Sequence, residues 1–566
     1  MRTNGKIRLG KDLPADLKRL SRRDFLRLGG AGVAGAAFLG TAGCGVFDSG
    51  GQGGTGGGGG GGNSVAVNLG DNVRDLNSLT TTDSASTTIL DNVMEGLHRL
   101  DPDNQPVPAQ AESIQVSDDG LNYTFKLRDG LMWSNGDPVT SQDFKYAWLK
   151  VLDPKTAAQY SYIIYTFIKG AAEYNSGDGS AEDVAIAAPD DKTLEVTLVQ
   201  PSPFWLGLTS FFTYFPLNQK FVEQKGEKYA LSPDALLYNG PYVLTEFDPT
   251  ASATLEKNDK YWDKGNVSIQ KVDLDIVKET DTGVNLYQSG EIDETEIDSE
   301  YVDEFKGTPD LWSQTYFVTW WSMPNQKEPI FQNANIRRAL QIGFDREALV
   351  NEILNNGSVP ATGYVPEGIA GPGDQTYREA QGPVLPEYDP GKAKELWQKG
   401  VEEVGENPTI EYLSYDDSVS RDIATFLQSE YKKMGAKLKV KVQPFDQALQ
   451  LQEDRNFQLA QYGWIGDYND PMTFIDMYLS DSSFNYIDYN NPRYDQLVTD
   501  AQTETDFAKR MDMLLEAERV LIEEDAAIAP QYFEGEVHLV RPSLQDSYVD
   551  HPYGGGQDMK WWKLEG

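Results

Sequence analysis

Three histidines, one cysteine and 88 carboxylates are the groups with which this 566-residue chain could do acid–base, nucleophilic or metal chemistry. His98, His538 and His551 are scattered, so no HExxH-type zinc site can form from local spacing. The lone thiol, Cys44, rules out an intramolecular disulfide and a thiolate zinc cluster. With so many Asp and Glu, some pair fits any acid–base spacing, and a glycosidase reading gains no specificity from that. Neither a GxSxG elbow nor a Walker A loop is present. Asp101–Glu112 has acids at places 1, 3 and 12 of a calcium loop, but Pro106 holds the sixth place, where the sharp turn needs Gly. A hairpin turn is expected there instead. The expectation is a protein with no catalytic residue, no cofactor and no metal site, and these absences argue against a secreted hydrolase of peptides or glycans.

The charge is strongly asymmetric. A net −39 arises from 88 acidic against 49 basic side chains, while 11% aromatic content argues against a disordered acidic chain. Nucleic acid and anionic membrane faces need basic patches and are poor partners. At ~150 residues per domain the chain should hold two to four domains.

Residues 1–27 carry nine Lys/Arg and three Asp, and a Gly/Ala-rich apolar run from Leu28 to Gly43 follows. That order describes a secretory signal, and a run of roughly 15 residues is short of the ~20 that span a bilayer. Ser21-Arg22-Arg23-Asp24-Phe25-Leu26-Arg27 resembles a twin-arginine export signal, with Arg22 and Arg23 as the pair and Arg27 where Lys is common. Thr41-Ala42-Gly43-Cys44 looks like a bacterial lipoprotein box, with Thr41 where Leu is usual. That likeness implies that residues 1–43 are a signal peptide and that Cys44 is lipidated. Two or more acyl chains would hold the protein firmly to a membrane. Residues 45–62 include twelve glycines and read as a flexible tether, with a span of about 23 Å. Without residues 1–43 the balance is 40 basic against 85 acidic groups, a net charge of −45.

From Asn63 onward, short β-rich runs alternate with helical patterns. Tyr123–Arg128, Leu194–Leu198 and Lys437–Val442 alternate faces as strands do. Helices are expected over Ile336–Asn355 and Lys509–Glu523, after Asp143, and from Asp389-Pro390, where Pro suits the first turn. The acidic run Glu291–Glu300 is expected to be a solvated face. No repeat of 20–50 residues is visible. Mixed strands and helices over this length predict two α/β lobes.

Five ordered blocks carry a more specific message. They are Asp129-Gly130-Leu131-Met132-Trp133-Ser134-Asn135-Gly136-Asp137-Pro138-Val139-Thr140 with Asp143-Phe144; Asn239-Gly240-Pro241-Tyr242-Val243-Leu244 with Lys257-Asn258-Asp259-Lys260-Tyr261-Trp262; Gly290-Glu291-Ile292-Asp293; Asn335-Ile336-Arg337-Arg338-Ala339-Leu340 with Phe344-Asp345-Arg346; and Gly463-Trp464-Ile465-Gly466-Asp467-Tyr468-Asn469-Asp470-Pro471-Met472-Thr473-Phe474. Together they resemble family 5 of the extracytoplasmic solute-binding proteins of ATP-binding-cassette (ABC) importers, and the last block is most similar to its oligopeptide-binding branch.

The resemblance implies an α/β, two-lobed periplasmic-binding-protein-like fold (class II, cluster C) with an extra subdomain on the first lobe. Lobe I would comprise 64–105, 206–312 and 530–566, the extra subdomain 106–205, and lobe II 313–529. It implies a lipid-anchored, extracytoplasmic monomer that captures oligopeptides and delivers them to the permease and ATPase subunits of an ABC importer. The same fold binding a saccharide, haem or a metal chelate, or acting as a peptide-sensing receptor, is the alternative.

In the peptide-binding relatives the Asp matching Asp467 pairs with the peptide's α-ammonium. Trp464, beside Gly463, matches a cleft-wall tryptophan. Gln461 stands where relatives carry an Arg that can neutralise a peptide C-terminus. Arg421 lies in a segment that supplies another carboxylate partner, though not at the matching position, and Phe445 stands where a cleft tryptophan is usual. A neutral amide at 461 can hydrogen-bond but cannot compensate a charge. Main-chain pairing gives affinity without reading side chains, and hydrated pockets adapt to varied ones.

Overall fold

The computed structural model describes residues 63–565 apart from 203, 554 and 555. Cys44, Arg22, Arg23 and the glycine-rich segment lie outside the described residues.

One large mixed sheet runs through the molecule. Its strands lie in the order Lys437–Gln443, Thr409–Tyr415, Leu459–Ile465, Leu311–Pro324, Ala529–Val540, Glu294–Ile297, Ser64–Asn68, Lys271–Asp275, Ser252–Lys257 and Tyr242–Asp248, and the short Val359–Pro360 pairs with Ala529–Val540. Each end is partly parallel. Thr409–Tyr415 passes through the helix Ser418–Met434 into the parallel strand Lys437–Gln443, a crossover unit that covers the sheet. Asp417 starts that helix by accepting from the Ser420 amide at 2.7 Å, and Gly435, at φ +101°, ends it.

The two long strands of the middle, Leu311–Pro324 and Ala529–Val540, join the lobes. Residues 311–315 pair with 535–539 on the side of Glu294–Ile297, residues 319–322 pair with 529–533, and residues 318–324 pair with Leu459–Ile465. The ladder breaks between Thr315 and Thr319. There the Phe317 amide donates to the Pro552 carbonyl at 3.1 Å, and the Phe317 carbonyl accepts from Gly466 at 2.7 Å. A break of this kind bends a strand, and here it falls between the two halves of the sheet, while Val318 keeps its pairing with Ile465.

Separate cores lie on either side. One gathers Val65–Leu274 with Val540–Trp562 and takes in the four-stranded antiparallel sheet Ala111–Val116, Asn122–Leu127, Thr193–Thr197 and Ile186–Asp190. Two adjoining cores on the other side draw on Phe317–Phe533. The expected strands occur within a residue of their sequence limits. Asp101–Gln105 is the turn between the antiparallel strands His98–Leu100 and Pro106–Pro108; the Asp101 carboxylate accepts from the Asp103 and Gln105 amides.

Two expectations need correction. The helix expected over Ile336–Asn355 is two pieces. Ala334–Ile342 stops at Gly343, where a Cβ would sit 2.6 Å from the Ala339 carbonyl and 2.8 Å from Met434 Sδ. Asp345 then caps a new start by accepting from Ala348 at 3.1 Å, a local bond that competes with a continuous helix. The run Glu291–Glu300 is not wholly solvated: Ile292, Glu294, Thr295 and Ile297 are buried, because 294–297 is an inner strand of the sheet.

Candidate functional site

The strand Leu459–Ile465 ends in a turn whose members are nearly all tied to the scaffold. The Asp467 amide donates to Thr473 Oγ1 at 3.1 Å. Asn469 accepts from the Ala370 amide at 2.7 Å and donates to the Asn104 carbonyl, across the lobes, at 2.9 Å. Asp470 receives Arg510 in a two-pronged ion pair at 2.6 and 2.8 Å, both side chains buried. Tyr468 stacks on Phe204 with centroids 4.3 Å apart and an interplanar angle of 4°. This network holds the half-buried Asp467 at the junction of two cavities.

The larger cavity is a cleft of about 1030 Å³, part of it open to solvent. Thr82, Asp83, Tyr160, Tyr162 and Phe211 line one side, and Tyr415, Phe445, Trp464, Asp467 and Phe484 the other. Edge-to-face packing of Trp464 on Phe484 at 5.0 Å, and Phe445 against Tyr415 at 5.0 Å, builds the aromatic wall. Gly463 lets this strand lie against Trp320, since a Cβ there would be 2.7 Å from the indole. Asp83, whose carboxylate caps a helix by accepting from the Ser86 amide at 2.9 Å, Glu453 and Asp467 are among the residues that line this cavity, and no Lys, Arg or His is. Burial pushes the Asp83 carboxyl upward. Such a site suits a cationic group with an apolar body.

The smaller cavity, about 570 Å³, shares Asp467 and carries Arg99, His98, His551 and Asp558. Its cation is already matched: Arg99 donates to both oxygens of Asp558 at 2.7 and 2.9 Å. Burial works against the Asp558 carboxylate, but the Arg99 charge and the hydrogen bonds from His551 and Arg99 together hold the group well below the usual range.

His98, 4% exposed and 2.7 Å from Thr209 Oγ1, is lowered by burial to about 4. A histidine depressed in the folded state stabilises above its unfolded value of ~6.5, and the gain disappears as pH falls through about 4. Between pH 7 and pH 4 this group should cost the fold roughly 2–3 kcal/mol. Urea unfolding at both pH values should show that loss reduced in His98→Gln; an equal acid loss in the variant would contradict it.

The other residues singled out from sequence fall differently. Trp464, Gly463, Phe445 and Asp467 line the larger cavity. Gln461 is 1% exposed and lines neither; its amide oxygen accepts from Ser414 Oγ at 3.1 Å and its nitrogen donates to Ser420 Oγ at 3.4 Å. Arg421 is exposed in the first turn of Ser418–Met434 and also lines neither cavity. Sequence reasoning missed Asp83, Glu453 and the tyrosines and phenylalanines of the opposing wall. Only the high aromatic content hinted at them.

Two α/β lobes on a pair of crossing strands, with an aromatic, acidic cavity between them, define a two-lobed solute-binding protein. The chain belongs to the bacterial extracellular solute-binding proteins, family 5, whose middle region matches residues 105–486. It is 37% identical over 475 residues to the dipeptide-binding protein DppE of Bacillus subtilis, covering 83% of this chain and 86% of the relative. Listeria monocytogenes OppA bound to peptide is a structural neighbour at TM-score 0.67 and 35% identity, with 90% of this chain and 100% of that chain covered. The unliganded open form of the murein tripeptide-binding protein MppA gives TM-score 0.79 at 25% identity, covering 89% and 97%.

Proposed function

We propose that this protein is a lipid-anchored, extracytoplasmic oligopeptide-binding protein that captures peptides between its lobes and delivers them to an ABC importer. The observation that carries this reading is the interlobe cavity, large, aromatic and lined by carboxylates without a cation. A peptide with a free N-terminus brings a positive charge to this acidic, aromatic wall. Relatives named for dipeptide and oligopeptide binding support the same cargo.

In this reading the lobes divide as 64–105, 206–312 and 530–566 against 313–529, with 106–205 as the extra subdomain. Asp467 holds the peptide α-ammonium. Trp464 and Phe445 wall the cleft, and Gly463 lines it where its strand lies against Trp320. Closure about the break at 316–318 buries the ligand and presents a shape that the importer's permease can recognise.

Calorimetry with free and N-acetylated tri- to hexapeptides tests the cargo and its orientation. Free peptides should bind and acetylated ones should bind far more weakly. Equal binding of both removes the ammonium assignment, and no binding of any peptide turns the reading toward another solute. For the anchor, Cys44→Ser should move the protein from the membrane fraction to the soluble one; retention in the membrane would count against lipidation.

A further inference from the structure

Outside the cleft, the fold collects Glu294, Glu296, Glu536 and Asp550 around one imidazole, His538, beside the break in the ladder. His538 lies on the crossing strand Ala529–Val540, three residues beyond Gly535, and is 5% exposed. Its Nδ1 is 2.7 Å from Glu294 Oε1, and the other Glu294 oxygen accepts from Gln557 at 3.0 Å. Its Nε2 makes no hydrogen bond among the described residues. That nitrogen points toward Glu536, whose Oε2 is 3.5 Å away. Glu536, His538 and Asp550 each offer a ligand atom, all within 4.8 Å of one another. No Lys or Arg among the described residues pairs with any of these four carboxylates.

We propose that Glu536, His538 and Asp550 form a binding site for a divalent transition-metal cation of the zinc type. A buried ring nitrogen with no hydrogen bond of ordinary geometry stands among four carboxylates that no Lys or Arg among the described residues neutralises, and such a cluster attracts a cation. A separation of 3.5 Å between His538 Nε2 and Glu536 Oε2 is long for a hydrogen bond. It matches the ~3.3–3.4 Å edge of a tetrahedron whose ligands sit ~2.0–2.1 Å from zinc.

The surroundings fit as well. Glu294 receives Nδ1–H, which fixes the tautomer that leaves Nε2 free to ligate, the carboxylate–histidine arrangement that supports metal sites. Asp550 is oriented by the Tyr316 hydroxyl. Glu536, 38% exposed at its side chain, gives an entry path. The imidazole favours a zinc-like ion over calcium, which takes oxygen ligands. A bound cation would clip the C-terminal segment at Asp550 to the crossing strand, next to the break.

The test is zinc titration of the metal-free full chain carrying Cys44→Ser, which removes the only competing thiol. Calorimetry should show one saturable Zn²⁺ site per chain, with a rise in thermal midpoint and no matching response to Ca²⁺. His538→Gln and Glu536→Gln should each abolish uptake, and Glu294→Gln should weaken it by roughly 10- to 100-fold. Far-UV circular dichroism confirms that each variant is folded, and the half-exposed Glu536 serves if His538→Gln is not. Absence of saturable uptake in the parent overturns the site and leaves His538 as a buried imidazolium. Uptake that survives both His538→Gln and Glu536→Gln overturns it too, and points to metal held elsewhere, such as a chelate in the cleft.

Discussion

Asp467→Asn should weaken binding of a free-N-terminus peptide by roughly 30-fold to several thousand-fold, corresponding to the ~2–5 kcal/mol lost when one partner of a buried charged pair is removed. The amide keeps the size and the accepting oxygen of the carboxylate, so the loss isolates the charge. Asp467 is half-buried and lines both cavities, and its backbone amide donates to Thr473 Oγ1 at 3.1 Å.

The decisive comparison is a cycle with N-acetylation. If the carboxylate and the ammonium meet, removing either should cost nearly as much as removing both. Calorimetry of the parent and Asp467→Asn against free and acetylated forms of one peptide reads this directly. Additive losses would mean that the two groups do not touch, and that Asp83 or Glu453, which line the same cavity, carries the charge recognition.

How much of this could be read in the sequence depended on the range of each interaction. Strands with strict alternation, such as Lys437–Val442, and helix starts with their own caps, such as Asp389-Pro390, were legible because their causes are local. The ordered blocks were legible as patterns, but not for their reasons. Asn239 exchanges two hydrogen bonds with the backbone of Glu95, and Gly240 sits where a Cβ would be 2.7 Å from Met94. Those partners are more than 140 residues away. Gln461 looked like a ligand residue, although its strand turns that side chain toward Ser414 and Ser420. The Glu294–His538 contact joins positions 244 apart, so neither the burial of the acidic run nor the cluster beside the break had a signal in residue spacing.

Asp470, three residues beyond Asp467 in the same turn, shows why one acidic string holds two different jobs. Its partner Arg510 has no exposed side-chain surface, donates both terminal nitrogens to it, and donates Nε to the Ala501 carbonyl at 3.1 Å. Asp470 also accepts from the Met472 amide at 2.9 Å, so the pair links the turn to the helix Phe507–Arg519. Arg510→Met leaves the Asp470 charge buried without its partner, and such breaks cost ~3–5 kcal/mol. Asp470→Asn in the same chain removes the stranded charge and should restore part of that loss. Urea unfolding followed by circular dichroism should rank the parent first, the double variant second and Arg510→Met last. A double variant no more stable than Arg510→Met would show that the bond to Ala501, and not the ion pair, is what Arg510 contributes. The two acids of the string thus separate by readout: Asp470 through the stability of the second lobe, Asp467 through peptide affinity on an intact fold.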